Sequence, residues 1–308
     1  MNCFKKITEE VKKAICGKDR AVILTLLSML AGGNILIEDI PGVGKTTMAL
    51  AFSRALGLSY GRVQFSPDTL PSDITGFSTF DKRSGELVFH EGAVFCNLFL
   101  ADELNRTSSR TQAALLEAME ERQVTVDGVS HALPSPFFVI ATQNPAGASG
   151  TQLLPDSQTD RFMTRISMGY PDENAEREML IRRAGKNPLD DVRRIVSVEE
   201  FVGLQKEVSE IYLDEEIARY IVSLVSATRR SPLIERGASP RATLALGRMG
   251  RAAAFASGRD FVAPKDIANI FEPTVSHRII LSGEALNSRM DEGRVLSEVL
   301  GSVRAPRV

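Results

Sequence analysis

Ile35-Leu36-Ile37-Glu38-Asp39-Ile40-Pro41-Gly42-Val43-Gly44-Lys45-Thr46-Thr47 carries the decisive pattern of this sequence. A short apolar run enters a glycine-bearing loop, and good helix formers follow from Met48 to Leu56, closed by Gly57. Strand, loop and helix in that order suit a phosphate-binding loop, because glycines let backbone N–H groups approach an anion and the helix N-terminus adds partial positive charge. Pro41, Gly42, Val43, Gly44 and Thr47 are expected to line the phosphates of ATP, with Lys45 reaching the β- and γ-phosphates and the Thr46 hydroxyl holding Mg²⁺. The usual pattern has a further glycine where Asp39 stands, a carboxylate to which the sequence assigns no role.

Outward from this segment, apolar runs recur at residues 35–37, 63–65, 98–101, 137–141 and 166–168, separated by helical patterns wherever there is room. That alternation predicts an α/β domain with a five-stranded parallel sheet covered on both faces. Ile7, Val11, Ala14 and Ile15 predict an amphipathic helix ahead of it, stopped near Gly17, and a second helix runs to about Leu30. Residues 76–95 are too long for a simple connection and read as an insertion. Val124 and Val126, Asp127-Gly128 and the alternation resuming at Val129 predict a hairpin. Beyond Pro171 helical patterns at 173–183, 198–211, 215–228, 240–256 and 264–280 predict a second, all-helical domain. The boundary falls at a loop near Asn187-Pro188, giving an α/β domain over 1–186 and a helical one over 190–308.

Leu98-Phe99-Leu100-Ala101-Asp102-Glu103 delivers two carboxylates at a strand's C-terminal end, where open α/β sheets gather ligands. Alone, such a strand end is commonly just solvated; downstream of a phosphate loop, Asp102 is expected to hold Mg²⁺ and Glu103 to orient the attacking water. Residues 137–141 lead into Thr142-Gln143-Asn144-Pro145, where Asn144 either bonds the water or γ-phosphate or simply forms an Asn-Pro turn. Arg161, Arg165 and Arg241 each read as a solvated surface charge or as positive charge for the transition state.

Composition narrows the function classes. The 308 residues are 43% hydrophobic with a formal net charge of −2, so no global positive excess would hold nucleic acid or an anionic membrane. Cys3, Cys16 and Cys96 have neither disulfide-framework nor zinc-site spacing, which fits a reducing cytoplasm. The apolar run at 21–31 is too short to span a bilayer, and no direct membrane insertion is expected. His90, His131 and His277 are dispersed, with no paired-ligand or nucleophile pattern.

Together these blocks resemble the AAA+ ATPases, and closely the MoxR family within them, over nearly the whole chain. The resemblance rests on residues 38–46, on Ala101-Asp102-Glu103-Leu104-Asn105-Arg106, on Gln112-Ala113-Ala114-Leu115-Leu116-Glu117-Ala118-Met119, on Ala141-Thr142-Gln143-Asn144-Pro145, and on Asp160-Arg161-Phe162 followed by Ser239-Pro240-Arg241. It implies a Mg-dependent ATPase with a helical lid, working as a ring of usually six subunits. By that likeness Asn144 is the first sensor, Arg161 an arginine finger serving the neighbouring subunit's ATP with Arg165 as its competitor, and Arg241 the second sensor from the lid. Ile15-Cys16-Gly17-Lys18 matches the adenine cradle, with Lys18 where the family usually has glutamine. The segments at 76–95 and 123–133 resemble the two hairpins of the magnesium chelatase relatives. The family's work is chaperone-like remodelling or metal insertion on a client protein, often with a partner carrying a von Willebrand factor A domain.

A nucleic-acid motor or loader is the alternative, since related rings use similar hairpins on DNA. Such hairpins would be expected to present lysine, arginine or aromatic residues at their tips, whereas this one turns on Asp127-Gly128. A small-molecule kinase would leave the helical domain, Asn144 and Arg241 without roles, and a module that only binds nucleotide would not need Glu103. Lys45→Ala is expected to lose ATP binding, whereas Glu103→Gln keeps binding and loses hydrolysis. Equal nucleotide affinity of Lys45→Ala and wild type would overturn the phosphate-loop assignment.

Overall fold

The computed structural model describes residues 3–144, 154–182 and 187–307. Helices α1 (Cys3–Lys12) and α2 (Asp19–Leu30) lead to β1 (Ile35–Glu38), α3 (Lys45–Leu56) and β2 (Tyr60–Gln64). The short α4 (Pro71–Thr75) precedes a hairpin of β3 (Gly76–Asp81) and β4 (Glu86–Glu91). Next come β5 (Leu98–Asp102), α5 (Ser109–Glu121) and a second hairpin of β6 (Gln123–Val126) and β7 (Val129–Ala132). The nucleotide-domain pattern ends with β8 (Phe138–Gln143), α6 (Asp156–Thr159), β9 (Thr164–Ile166) and α7 (Glu173–Arg182).

β2, β5, β8, β1 and β9 form, in that order, one five-stranded sheet, and every pairing in it is parallel. The central strands are buried on both faces, which is why they read as unbroken apolar runs. Ile35, Ile37, Leu98, Leu100, Phe138 and Ile140 face α1, α2, α3 and the lid helices. Leu36, Phe99, Ala101, Val139 and Ala141 face α5 and the base of the hairpins.

The last strand begins earlier than its apolar run suggested. Pairing starts where the Met163 N–H meets Asn34 O at 2.7 Å, and the Met168 N–H is bound by a side chain, Asp39, instead of a neighbouring strand. β2 also starts earlier, at Tyr60; as an edge strand with alternating exposure it lacks a continuous apolar signature. In the second hairpin Asp127 and Gly128 have φ of 51° and 79°, the positive pair that a two-residue turn of this hand requires. The two hairpins touch through Phe89 and His131, stacked with ring centroids 3.7 Å apart.

The C-terminal region comprises α8 (Val198–Glu210), α9 (Glu215–Thr228), β10 (Ile234–Arg236), α10 (Pro240–Ala256), α11 (Pro264–Val275), β11 (Ile280–Leu281), α12 (Gly283–Asn287) and α13 (Glu292–Ser302). It is a helical lid with one small antiparallel ribbon, β10 on β11. The pattern at 264–280 breaks after Val275 because His277 and Arg278 turn inward, both bonding Phe162 O, and Ile280–Leu281 joins the ribbon. The end of the 173–183 pattern and the boundary at 186 lie outside the described residues. The lid packs on the sheet through the edge-to-face pair Phe138–Phe201, and one continuous apolar cluster runs from the sheet into the lid. Among the described residues no helix is long and apolar enough to cross a membrane.

Candidate active site

β1 delivers its C-terminal end into the loop, where Gly42 and Gly44 adopt φ of 86° and 98°, a region that side-chain-bearing residues rarely enter. Gly44 caps α3 without a side chain, so the first-turn N–H groups of Lys45, Thr46 and Thr47 have no intrahelical acceptor. These donors and the helix dipole make an anion site. The buried Lys45 ammonium donates to Asp39 O at 2.6 Å. Burial draws its pKa below the ordinary lysine value, against Asp39, Asp102 and Glu103, which pull it back up.

Asp39, without a role in the sequence, is a staple. Its Oδ2 accepts the Met168 and Gly169 N–H groups at 2.6 Å each and the Ser167 hydroxyl at 3.1 Å, while Oδ1 accepts the Ile40 N–H at 2.8 Å. One carboxylate thereby ties the chain leaving β9 to the chain entering the loop. Lys18 Nζ reinforces the joint by donating to Gly169 O at 2.7 Å. Gly17, at φ 68°, sits so close to α7 that a Cβ there would lie 2.6 Å from Ala175 Cβ. Beside the loop, Pro41, Val43, Tyr170, Met179 and Leu180 line a cavity of 580 Å³, apolar enough for a purine base.

The two carboxylates leave β5 next to β8, as Ala101 pairs with Ala141 in register. Thr142 is their pivot: its hydroxyl accepts the Glu103 N–H and donates to Asp102 Oδ1, at 2.8 and 2.7 Å. Arg62 of β2 holds Asp102 Oδ2 at 2.8 Å. Glu103 has a left-handed backbone, φ 57° and ψ 46°, the kind of strain that persists where surroundings over-determine it. Its Oε1 accepts Asn144 Nδ2 at 3.2 Å, and its Oε2 accepts Arg106 at 2.8 Å and Gln64 at 3.4 Å. Burial alone would raise its pKa; the bonds from Arg106, Asn144 and Gln64 outweigh it and hold the carboxyl below the usual range. Glu103 is therefore an ionised acceptor in a fixed orientation, suited to aligning a water.

Among the described residues no three His, Cys, Asp or Glu side chains gather around one point, so no all-protein metal cage is present. A hydroxyl and one carboxylate, Thr46 and Asp102, are the kind of oxygen donors that Mg²⁺ uses together with substrate phosphates, and the residues fit that ion.

Of the three arginines singled out in the sequence, Arg161 and Arg241 lie at the far end of β1 from the loop, and Arg165 stands beside the end of β1 that enters the loop. Arg161 donates to Leu116 O at 3.0 Å and pairs with Glu120 at 3.2 Å; Arg241 pairs with the same Glu120 at 2.5 Å. Both line a cavity with Gly32, Gly33 and Asn34, which precede β1, whereas the phosphate loop follows it. A four-residue strand is about 13 Å long, so these arginines are not at their own chain's loop. Arg165 pairs with Glu38 and Glu292 at 3.4 and 3.7 Å. Arg62, Gln64 and Glu120 escaped sequence reading because only strand order and helix packing bring them in. Arg106, three residues after Glu103, had the one local signal, the spacing of a helical turn.

The chain matches the ATPase family associated with various cellular activities (AAA) over residues 34–164 and the AAA lid domain over residues 226–299. It is 41% identical to the uncharacterized YeaC protein of Bacillus subtilis, covering 98% of this chain and 94% of that one. It is 36% identical to the chaperone MoxR1 of Mycobacterium tuberculosis, over 97% of this chain and 81% of that one, and 31% identical to the protein MoxR of Methylorubrum extorquens, over 90% and 87%. A solved structure of a candidate ATPase from Cytophaga hutchinsonii superposes with a TM-score of 0.91 at 35% identity, covering 99% of this chain and 95% of that one.

The Glu103 contacts generate a pH prediction. Removing Arg106 deletes an interaction that lowers the Glu103 pKa, so the pKa rises. If Glu103 aligns the attacking water, hydrolysis needs its ionised form and is lost as pH falls through that pKa. Arg106→Ala should therefore lose kcat at a higher pH on the acid side than wild type; an acid limb that stays in place or moves downward refutes the assignment.

Proposed function

The chain belongs to the MoxR family of AAA+ ATPases, and on that footing we propose that it works as a ring, usually of six subunits, whose ATP hydrolysis remodels client proteins. The observation carrying this reading is the placement of Arg161 and Arg241 at the opposite end of β1 from the phosphate loop. The arginines near this site are each paired with a carboxylate, Arg62 with Asp102, Arg106 with Glu103 and Arg165 with Glu38, which leaves the negative charge that the transition state gathers at the γ-phosphate to be met from elsewhere. Both arginines then serve the neighbouring subunit: Arg161 as the finger, and Arg241 as a second sensor acting between subunits instead of within one.

Within a subunit, the N–H groups of the loop and Lys45 hold the phosphates, and the cavity beside Tyr170 takes the base. Glu103 orients the water while Asn144 keeps Glu103 in place. When bound through Thr46 and Asp102, Mg²⁺ supplies charge neutralisation at the phosphates. Asn144 closes the route outward: it lies at the end of β8, directly downstream of the second hairpin, which stacks on the first through His131 and Phe89.

Protein is the favoured client because of what the first hairpin exposes. Phe80 and Leu87, a cross-strand pair, are 63% and 64% exposed, and Phe77 and Val88 are exposed on the opposite face. Such a continuous apolar surface suits an unfolded polypeptide, while the exposed Lys82 and Arg83 in the turn of the same hairpin are what a nucleic-acid reading would use. The name of the mycobacterial relative agrees with a chaperone role. Maturation of a metal protein, a partner with a von Willebrand factor A domain and a cytoplasmic location follow from family likeness. The second hairpin's turn at Asp127-Gly128 offers nucleic acid no cation, so we retain the motor reading only as the outcome to test against.

Arg161→Ala subunits should bind ATP and hydrolyse it about a thousandfold more slowly. Mixed with Glu103→Gln subunits, inactive for a different reason, they should regain activity. Mixed rings that form but stay inactive, or full activity from a dilute monomer, would exclude a finger acting between subunits. In a second experiment, an unfolded model polypeptide should stimulate the ATPase severalfold and DNA should not, with the stimulation lost in a Phe80→Ser, Leu87→Ser double variant. Stimulation by DNA alone would favour the motor.

A further inference from the structure

The cavity before β1, 310 Å³ in volume, is lined by five arginines, Arg122, Arg161, Arg241, Arg248 and Arg278, and by two acidic residues, Glu120 and Asp160. The charges are unequal in number and unequally committed. Asp160 is taken by the lid, accepting Arg278 Nη1 at 2.7 Å and the Ser239 hydroxyl at 2.8 Å. Arg122 and Arg248 both donate to a neutral acceptor, Gly32 O, at 3.0 and 3.1 Å. Glu120 is left to serve two guanidinium groups at once: Oε2 faces Arg161 at 3.2 Å and Oε1 faces Arg241 at 2.5 Å. Repulsion among the cations is already felt at Arg278, whose pKa burial lowers and Arg241 lowers further, against the pull of Asp160.

Two oxygens of one anion, each gripped by a different arginine, reproduce how a phosphate group is held. Glu120 is a weak occupant of that position. It stands in the last turn of α5, where the helix dipole disfavours negative charge, and its side chain is 38% exposed, so water screens the pairs. A terminal phosphate carries more charge and more acceptor oxygens than a carboxylate.

We propose that Glu120 is a phosphate surrogate: in the lone subunit its carboxylate holds Arg161 and Arg241 as a preset pair, and the terminal phosphate of a nucleoside triphosphate displaces it. The exchange rests on the reading that the two arginines serve a neighbouring subunit's nucleotide. No bond is made or broken; two ion pairs are traded for two. Because Asp160 joins the segment carrying Arg161 to the lid residues Ser239 and Arg278, the lid and the finger arrive at the phosphate together.

The test separates the surrogate from the neighbour. In a Lys45→Ala background, which disables the chain's own phosphate loop, inorganic tripolyphosphate is titrated calorimetrically. Glu120→Gln, nearly the same shape without the charge, should tighten binding at least tenfold, and a further Arg161→Ala or Arg241→Ala should abolish the gain. Glu120→Asp, which keeps the charge, should stay near its parent. Unchanged or weaker binding by Glu120→Gln, or a gain that survives loss of both arginines, overturns the proposal. With the loop intact, Glu120→Gln should reach half-maximal ATPase per subunit at a severalfold lower protein concentration. If tripolyphosphate binding behaves as expected but this midpoint does not move and mixed subunits show no recovery, the surrogate stands and the neighbour reading fails. If mixed subunits recover activity but tripolyphosphate binding does not respond, the neighbour reading stands and Glu120 is only a strut between α5 and the lid.

Discussion

The parallel register of β5, β8 and β1 is the constraint on which the site depends. Leu98 opposite Phe138, and Ile35 opposite Ile140, bring three strand ends to one rim, so the phosphate loop, Asp102-Glu103 and Asn144 emerge as neighbours although they are far apart in sequence. A slip of one residue would turn every side chain of a strand to the other face. Thr142 is where the register becomes chemistry, since one hydroxyl spans both acidic residues and exists only because β8 runs beside β5.

Charge on this rim is arranged so that each ionised group is engaged by the protein. Lys45 is buried yet surrounded by acids and anchored on a backbone carbonyl. Glu103 is kept ionised by three donors. Asp39 shows the same economy: a carboxylate at a position usually given to glycine satisfies the N–H groups of residues 168 and 169, which would otherwise be left unpaired where β9 ends. The loop is held to the sheet's last strand by that residue.

The opposite rim is built from the lid as much as from the sheet. Arg161 and Arg241 come from different regions and meet on Glu120, while Asp160 receives two lid residues. The molecule thus has one end with phosphate-loop donors and two acids paired to Arg62 and Arg106, and another where Arg161 and Arg241 meet on Glu120. The proposed ring would bring the second end of one copy to the first end of the next, a head-to-tail arrangement. Between them, the stacked hairpins carry exposed apolar side chains away from the core.

What the sequence determined by itself is what depends on neighbours along the chain. The Gly42–Thr46 loop, the apolar strands, the Asp-Gly turn and the helices after Pro171 are short-range patterns, because backbone conformation and hydrophobic period are set within a few residues. Tertiary structure alone decided which residues meet across strands and helices. It placed Gln64 and Arg62 beside the acids through strand order, gave Asp39 its staple, ended β9 at Ile166, and put Arg161 with Arg241 on Glu120, away from their own chain's phosphate loop. A side chain's partner is set by register and packing over distances that no local pattern encodes; Arg106, one turn from Glu103, was within reach of the sequence, and Glu120 was not.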